Sequence, residues 1–246
     1  PPCERGVASK LVGVPRQHNL GLMQAHYAIP QAMAAYTARA ILEQEGLRVP
    51  YITTLHGTDI TLLGRDPSFE PVISFAINQS DAVTAVSKSL KDDTRHLFGV
   101  NREIEVVPNF FCPNHFAIPV KEDLRAAIAP GHEPIITHIS NFRPLKRVQD
   151  VVQAFARVRA AQPAKLLFIG DGPERYAAEV LAEQLGVHRD TLFLGKVKNP
   201  IEALLISDLF MLPSESESFG LSALEAMAAG VPVVASTAGG ISEVVE

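Results

Sequence analysis

The sequence predicts an α/β protein of two lobes, each a parallel β-sheet covered by helices, with a central cleft between them. Short β-branched runs alternate with helical patterns and short loops, most regularly over residues 135–234, as expected for parallel sheets covered on both faces. A proline-rich segment at 111–134 separates this region from a first half with the same alternation. We therefore predict a first lobe at 1–115, a connection at 116–134 and a second lobe at 135–246.

The second half divides cleanly into strands and helices. Its predicted strands are residues 135–139, 166–169, 192–194, 208–212 and 231–234. Its predicted helices are residues 146–159, a helix after the turn at 170–173 that runs to about 184, and residues 201–206 and 221–229. Ligands of parallel α/β sheets bind beyond the carboxyl ends of the strands, so polar residues just after strands are the candidates for function.

The first half has the same alternation but is less regular. A helix is predicted from Pro30 to about residue 45, because proline fits the first helical turn. The predicted strands are residues 51–55, 81–86 and 103–107. Ser87 is placed to cap the helix that follows the second of them. Residues 1–19 show no clear period, and no element is predicted there.

Composition narrows the class of partner. The net charge is −5 and the basic residues are dispersed, which argues against nucleic acid or an anionic membrane as the partner. Cys3 and Cys112 are the only cysteines, so a disulfide framework is not expected and a reducing compartment is. No apolar run reaches ~20 residues, and the first residues lack a secretory-signal layout. We expect a cytoplasmic protein without stable membrane insertion.

The loop after the strand at 208–212 is the strongest candidate site. It carries Glu217, and Gly220 then opens a helix that holds Glu225 about one turn in. Backbone N–H groups at a helix start suit a phosphate or a sugar hydroxyl, and a carboxylate accepts hydrogen bonds from hydroxyls. The alternative is that Ser218 simply caps the helix and that the acidic residues are solvated. The loop alone leaves both interpretations open.

Three further loops carry candidate residues. Arg143 and Lys146 follow the strand at 135–139 and could bind one diphosphate, although surface ion pairs are the commoner role of such a loop. His56 follows the strand at 51–55, where a histidine can face a ligand but is more often structural. Tyr27 offers a hydroxyl near a predicted helix start.

Several chemistries lack their motifs in this sequence. It contains no phosphate-binding Gly-x-x-x-x-Gly-Lys-Ser/Thr loop and no Gly-x-Ser-x-Gly nucleophile elbow. The Asp-x-Asp pattern that holds a metal–nucleotide pair is also absent, and Asp92 and Asp93 are adjacent on a predicted helix. We therefore predict no metal site and no cofactor.

Taken together, the motifs resemble the retaining glycosyltransferases of family 4, which have the GT-B fold of two Rossmann-like lobes. The resemblance rests on Glu217-x7-Glu225 with Ser-Phe-Gly-Leu after the first Glu, together with motifs at 170–173, 193–195 and 230–235. First-lobe motifs at 26–30, 55–61 and 84–87, with 138–144 in the second, resemble a branch of this family that glycosylates L-malate in bacillithiol synthesis. The resemblance covers about residue 20 to the end.

The resemblance implies a role for each candidate residue. Glu217 would hold hydroxyls of the donor sugar, Glu225 the ribose, and Arg143 and Lys146 the departing diphosphate, while His56 would face the donor sugar. Other donor contacts would come from Asn141, Lys196 near the uracil, Phe219, Gly220, Leu221 and Ser222. The acceptor side would include Tyr27 and Thr58. The donor would be UDP-N-acetylglucosamine, and a homodimer is compatible with the family.

The resemblance also implies the reaction course and leaves alternatives. Attack on the same face as the leaving group would retain the anomeric configuration without a nucleophilic side chain, so Glu217 is not a glycosidase nucleophile. Many family members have Arg where this sequence has Asn141. Residues 1–19 lack the family's Gly-rich opening, and members continue beyond residue 246, so we expect part of a longer protein. The alternatives are a lipid or polysaccharide acceptor, and a non-catalytic sugar-nucleotide binder.

Overall fold

The chain forms two compact units, Pro1–Asn109 and Phe110–Glu246, in a computed structural model that describes residues 2–62, 64 and 66–245. The boundary therefore falls six residues before the end of the predicted first lobe. The predicted connection at 116–134 contains a helix, Glu122–Ile128, and this segment lies within the second unit. Among the described helices, none is both long and apolar enough to cross a membrane.

The first unit is built on a four-stranded parallel sheet of order β1-β2-β3-β4. The strands are β1 (Met23–His26), β2 (Tyr51–Leu55), β3 (Ala82–Ala85) and β4 (Ile104–Val106). The helices are α1 (Pro2–His18), α2 (Met33–Gln44), α3 (Glu70–Gln79) and α4 (Lys88–Leu97). Ser87 caps α4, with its hydroxyl accepting from the Leu90 N–H at 3.0 Å, as predicted.

The helix at residues 2–18 is the element of this unit that the prediction lacked. It packs on α2, and Ala8, Val12 and Pro15 are buried among its residues whose side chains are described. No helix was predicted here, because Gly6, Gly13 and Pro15 are the poorest helix formers and obscure the pattern. The helix predicted from Pro30 is present: within Ala28–Ala32 only Ile29 is extended (φ −132°, ψ 139°), so Pro30 and the two residues after it have helical backbone angles and lead directly into α2.

The second unit is built on a five-stranded parallel sheet of order β7-β6-β5-β8-β9. The strands are β5 (Ile135–Ile139), β6 (Lys165–Ile169), β7 (Thr191–Phe193), β8 (Leu209–Leu212) and β9 (Val233–Ala235). The helices are α5 (Glu122–Ile128), α6 (Val148–Ala161), α7 (Arg175–Gln184), α8 (Ile201–Leu204) and α9 (Leu221–Ala228). The chain runs outward from β5 through β6 to β7, then crosses to β8 on the other side. The loops after β5 and β8 therefore diverge at a switch point, where α/β sheets bind ligands.

Alternate residues of the central strands enter cores on opposite faces of this sheet. Leu166 and Phe168 pack with Val152 and Phe155 of α6, whereas the intervening Leu167 packs with α8 and the end of α5. A third cluster joins β8 to α9. The prediction of a parallel sheet covered on both faces is thus confirmed.

Candidate active site

The loop after β5 is held in an unusual conformation by the Gly-Asp-Gly turn after β6. Phe142 is fully buried with φ 34°, a left-handed value that places its neighbours Asn141 and Arg143 at the surface. A Cβ at Gly170 or Gly172 would overlap backbone carbonyl oxygens of this loop, so only glycine permits the approach. The loop continues through a short turn at Pro144–Lys146, and left-handed Arg147 delays the start of α6 to Val148.

The loops after β5 and β8 meet through an ion pair between Lys146 and Glu217. The Lys146 ammonium donates to Glu217 Oε1, and the two side chains are only 16% and 12% exposed. The buried Ser214 hydroxyl donates to the same oxygen at 3.1 Å, and the Glu215 N–H donates to Leu145 O at 2.8 Å. For Glu217 the alternative of a solvated surface carboxylate is therefore wrong, whereas Glu215 is exposed.

A second glycine pair holds the backbone of Glu217 from the other side. The Gly240 N–H donates to Glu217 O at 2.8 Å. A Cβ at Gly239 would overlap Glu217 O, and a Cβ at Gly240 would overlap Ser218 O. The Ser236 hydroxyl adds a 2.5 Å bond to Ser214 O. We call residues 236–240 the clasp, because they fix the loop that carries Glu217.

Gly220, not Ser218, is the N-cap residue of helix α9. Gly220 has φ 89° and takes the cap position, and its carbonyl accepts from the N–H groups of Ala223 and Leu224. The interpretation of Ser218 as the helix cap is wrong, because a left-handed residue suited to glycine turns the chain into the helix. Phe219 is buried, Leu221 is exposed and Ser222 is half-buried at this helix start.

Glu225 faces a cavity of about 460 Å³ within the second unit. The wall includes Lys198 and Asn199 from the segment after β7, and His115 from the chain before α5. Burial raises the pKa of Glu225 above its ordinary value. Lys196, just beyond the left-handed Gly195, is exposed on the same segment. A half-buried carboxylate in a cavity of this size can accept two hydroxyl hydrogen bonds from one ligand.

His138 on β5 is the buried polar group closest in sequence to the Lys146 loop. Its Nδ1 lies 2.8 Å from Met211 O, and its Nε2 lies 2.8 Å from Ser140 Oγ. Burial lowers the pKa of His138 to about 4, the Met211 carbonyl opposes that shift, and the Lys146 charge adds to it. The ring is therefore neutral at pH 7.

The neutral state of His138 predicts a pH-dependent stability. The unfolded chain binds a proton near pH 6.5 and the folded chain only near pH 4, so stability is fully present above about 6.5 and is lost as the pH falls to about 4. That shift corresponds to about 3 kcal/mol of unfolding free energy. Urea unfolding at pH 7 and at pH 4.5 measures how much unfolding free energy the protein loses between the two. This loss should be smaller in His138→Asn than in wild type. The exposed His188→Ala variant should keep the wild-type difference. If His138→Asn lost as much unfolding free energy between pH 7 and pH 4.5 as wild type does, His138 would not be the source of the pH dependence.

In the first unit, the candidate residues lie at the carboxyl ends of β1 and β2. His26 Nδ1 and His56 Nε2 are 2.8 Å apart, so one ring donates to the other. The Tyr27 ring packs on His56 with centroids 5.0 Å apart. Burial, and then the nearby His26, lower the pKa of His56 below its ordinary value. A neutral imidazole at this position can both donate and accept a hydrogen bond.

Tyr27 and Thr58 line one cavity of about 210 Å³ together with the buried Asp59. Asp59 Oδ2 accepts from the Ala28 N–H at 2.6 Å, which fixes the backbone directly after Tyr27. Tyr27 itself has φ 79°. Burial raises the pKa of Asp59. The cavity is small, and its wall also includes Ile29 and Pro30, so it offers both apolar and polar contacts to a small molecule.

The structure brings some of the predicted residues together and not others. Lys146 contacts Glu217, His56 packs on Tyr27, and Tyr27 shares a cavity with Thr58. Arg143 is exposed and has no ion-pair partner within 4.0 Å among the described residues. Within that part of the chain, no three His, Cys, Asp or Glu side chains form a metal-binding group.

Sequence reasoning missed several residues that shape the site. They are His26, Asp59, His138, Ser140, Ser214, Gly239 and Gly240. Two signals were available. His138 and Ser140 are two residues apart at a strand end and so share a face, and an adjacent Gly-Gly pair indicates close backbone approach.

Comparison with known proteins places the chain in a family. The family model described as "Glycosyl transferases group 1" matches residues 120–246, and the model described as "Glycosyltransferase Family 4" matches residues 5–114. N-acetyl-alpha-D-glucosaminyl L-malate synthase of Bacillus anthracis is 47% identical over all of this chain and 64% of its own length. D-inositol 3-phosphate glycosyltransferase of Nocardia farcinica is 31% identical over 83% of this chain and 50% of its own.

Solved structures share the fold. Anabaena Alr3699/HepE, crystallised in complex with UDP and glucose, superimposes with a TM-score of 0.81 at 24% identity, covering 97% of this chain and 65% of its own. Sucrose-phosphate synthase from Thermosynechococcus elongatus superimposes with a TM-score of 0.75 at 20% identity, covering 95% of this chain and 60% of its own. The chain thus spans one half to two thirds of the length of these proteins. With its two parallel α/β sheets of the GT-B kind and a family match over more than half of its residues, the chain belongs to the glycosyl transferases of group 1.

Proposed function

We propose that the protein is a retaining glycosyltransferase that moves N-acetylglucosamine from UDP-N-acetylglucosamine to L-malate, the first step of bacillithiol synthesis. The observation that carries the proposal is the pairing of Lys146 with Glu217 at the switch point of the second sheet. A cation and a carboxylate held side by side suit the two halves of a sugar nucleotide. The ammonium suits the diphosphate, and the carboxylate suits the sugar hydroxyls.

The donor's diphosphate would engage the cationic loop after β5. Negative charge grows on the leaving phosphate in the transition state, and a preorganised cation stabilises that charge most where water is excluded. Lys146 is mostly buried and fixed by its partner, whereas Arg143 is exposed and free to swing onto the diphosphate. The start of α9 adds backbone N–H groups and a positive dipole end.

The nucleoside end of the donor would occupy the 460 Å³ cavity beside Glu225. The carboxylate would accept from the two ribose hydroxyls, and the segment at Lys196 to Asn199 would contact the uracil. Cavities that hold a nucleoside are a few hundred Å³, which this one matches. Glu217 would then face the hexose, with Ser214 orienting its carboxylate.

The acceptor side of the proposal rests on the first unit. Tyr27 and Thr58 line a small cavity, and the His26–His56 pair next to Tyr27 supplies groups that can donate to a carboxylate. Support for L-malate itself comes from the 47% identity to the Bacillus anthracis relative over the whole chain. In same-face transfer the leaving phosphate oxygen takes the hydroxyl proton of the acceptor, the new glycosidic bond forms as the sugar–phosphate bond breaks, and no side chain becomes glycosylated.

Product analysis tests this proposal. The purified protein, incubated with UDP-N-acetylglucosamine and L-malate, should release UDP and form an α-linked malate glycoside, identified by mass and by its anomeric proton coupling. Other hydroxy acids, a lipid acceptor and a polysaccharide acceptor serve as matched alternatives. Transfer only to one of these would overturn malate as acceptor. Binding of UDP-N-acetylglucosamine without transfer to any acceptor would identify a non-catalytic binder.

A further inference from the structure

His138 has a hydrogen-bond partner on each ring nitrogen although it is fully buried. Met211 O lies 2.8 Å from Nδ1, and Ser140 Oγ lies 2.8 Å from Nε2. The ring also packs against Phe142 and Phe168, with centroids 6.1 and 5.6 Å away. Packing alone does not require a histidine here, because an apolar residue of similar size would fill the same space. The two hydrogen bonds therefore indicate a further role for the ring.

The partners fix every proton in this network. A backbone carbonyl can only accept, so Nδ1 carries the ring proton and Nε2 is an acceptor. The Ser140 hydroxyl must therefore donate to Nε2, which leaves its lone pairs for the Phe142 N–H at 3.3 Å. The result is a directed chain of bonds from Phe142 through Ser140 and His138 to Met211.

This chain connects the two loops that carry the proposed donor-binding pair. Met211 lies near the end of β8, two residues before the loop that leads to Glu217. Phe142 lies in the loop after β5, four residues before Lys146, in the left-handed conformation that sets the direction of that loop. The hydrogen bonds therefore tie the end of one strand to the loop after its neighbour.

We propose that His138 and Ser140 are positioning residues that hold the Lys146 loop against the Glu217 loop, so that the Lys146 ammonium meets the donor diphosphate. The inference rests on the proposed function, because a sugar-nucleotide diphosphate is the ligand that Lys146 would meet. Neither residue touches the donor. A merely structural role would change stability without any special dependence on Lys146.

A double-mutant cycle on donor affinity separates these roles. Affinity for UDP-N-acetylglucosamine is measured by calorimetry for wild type, Ser140→Ala, Lys146→Met and the double variant. Ser140→Ala should weaken binding on the order of tenfold in the wild-type background, within the usual coupling range of one hydrogen-bond network, and by less than about twofold beside Lys146→Met. His138→Asn, which keeps a donor toward Met211 but offers no acceptor at the Nε2 position, should repeat the result. His188→Ala should leave affinity unchanged.

The outcomes distinguish this inference from the proposed function. If wild type binds the donor and the loss of affinity in the double variant is the product of the losses in Ser140→Ala and Lys146→Met, Ser140 acts independently of Lys146. The positioning role is then wrong. If wild type does not bind UDP-N-acetylglucosamine, the proposed function fails and takes this inference with it. Unfolding curves of Ser140→Ala and His138→Asn identify any loss that comes from an unfolded fraction.

Discussion

Lys146→Met is expected to lower kcat/KM for sugar transfer by about 10²–10³-fold, the usual effect of removing one preorganised group that stabilises transition-state charge. Methionine keeps most of the length of the side chain and removes the ammonium. Glu217 then loses its only ion-pair partner among the described residues and keeps the Ser214 hydroxyl. Steady-state kinetics with UDP-N-acetylglucosamine and L-malate measure the effect.

The neighbouring residue supplies the control for this prediction. Arg147 is an exposed cation paired with Asp150 on α6, so Arg147→Met removes the same charge without touching Glu217. Its transfer rate should stay within about twofold of wild type, as for an ordinary surface change. Glu217→Gln should share the loss seen in Lys146→Met, and the exposed Glu215→Gln should not. A rate for Lys146→Met near that of Arg147→Met would mean that the switch-point pair is structural.

Gly240→Ala is expected to reduce both stability and transfer. The new Cβ would overlap Ser218 O and lie 2.8 Å from Ser218 C and 3.0 Å from Phe219 Cα, all of them backbone atoms that cannot rotate away. Overpacking of this kind costs about 1–3 kcal/mol of unfolding free energy. The clasp can relieve it only by moving the loop that carries Glu217, and a shift of about 1 Å at a reacting group can cost about 10²-fold in rate.

Urea unfolding and transfer kinetics check this prediction together. Gly13→Ala is the control, because it lies in α1 with an ordinary φ and a Cβ there would meet nothing within 4 Å. That change should be neutral or should stabilise by about 0.5–1 kcal/mol, since alanine is the better helix former. Wild-type transfer by a folded Gly240→Ala protein would show that the clasp does not position Glu217.

Local patterns in the sequence were enough for most of the fold. Strand 51–55 agrees with the structure residue for residue, and the helix to Gln184 and the helix from Leu221 end or begin where expected, because hydrophobic period and turn residues act over a few positions. Helix α1 is the main exception, since its two glycines and Pro15 are poor helix formers and only its packing on α2 makes the helix evident. The two compact units divide after Asn109, close to the start of the proline-rich segment at residue 111.

The residue types of the candidate site could also be predicted from local patterns. Glu217 and Lys146 follow strands of the second sheet and His56 follows a strand of the first, and the carboxyl edge of each parallel sheet gathers its own loops whatever their order. The sequence by itself thus determined which residue types stand at each of these edges, and the Glu-x7-Glu spacing determined the family that it resembles. It left open whether Glu217 was solvated or bound, because both outcomes fit the same local pattern.

Tertiary structure alone decided which of those residues touch. Lys146 and Glu217 are 71 positions apart and meet only because β5 and β8 are neighbours across the switch point, a strand order that no local pattern encodes. The same holds for the clasp on Glu217 and for the bonds from His138 to Met211 and Ser140. Period and propensity are properties of a few adjacent residues, whereas an ion pair needs two side chains brought within 4 Å by the packing of the whole sheet.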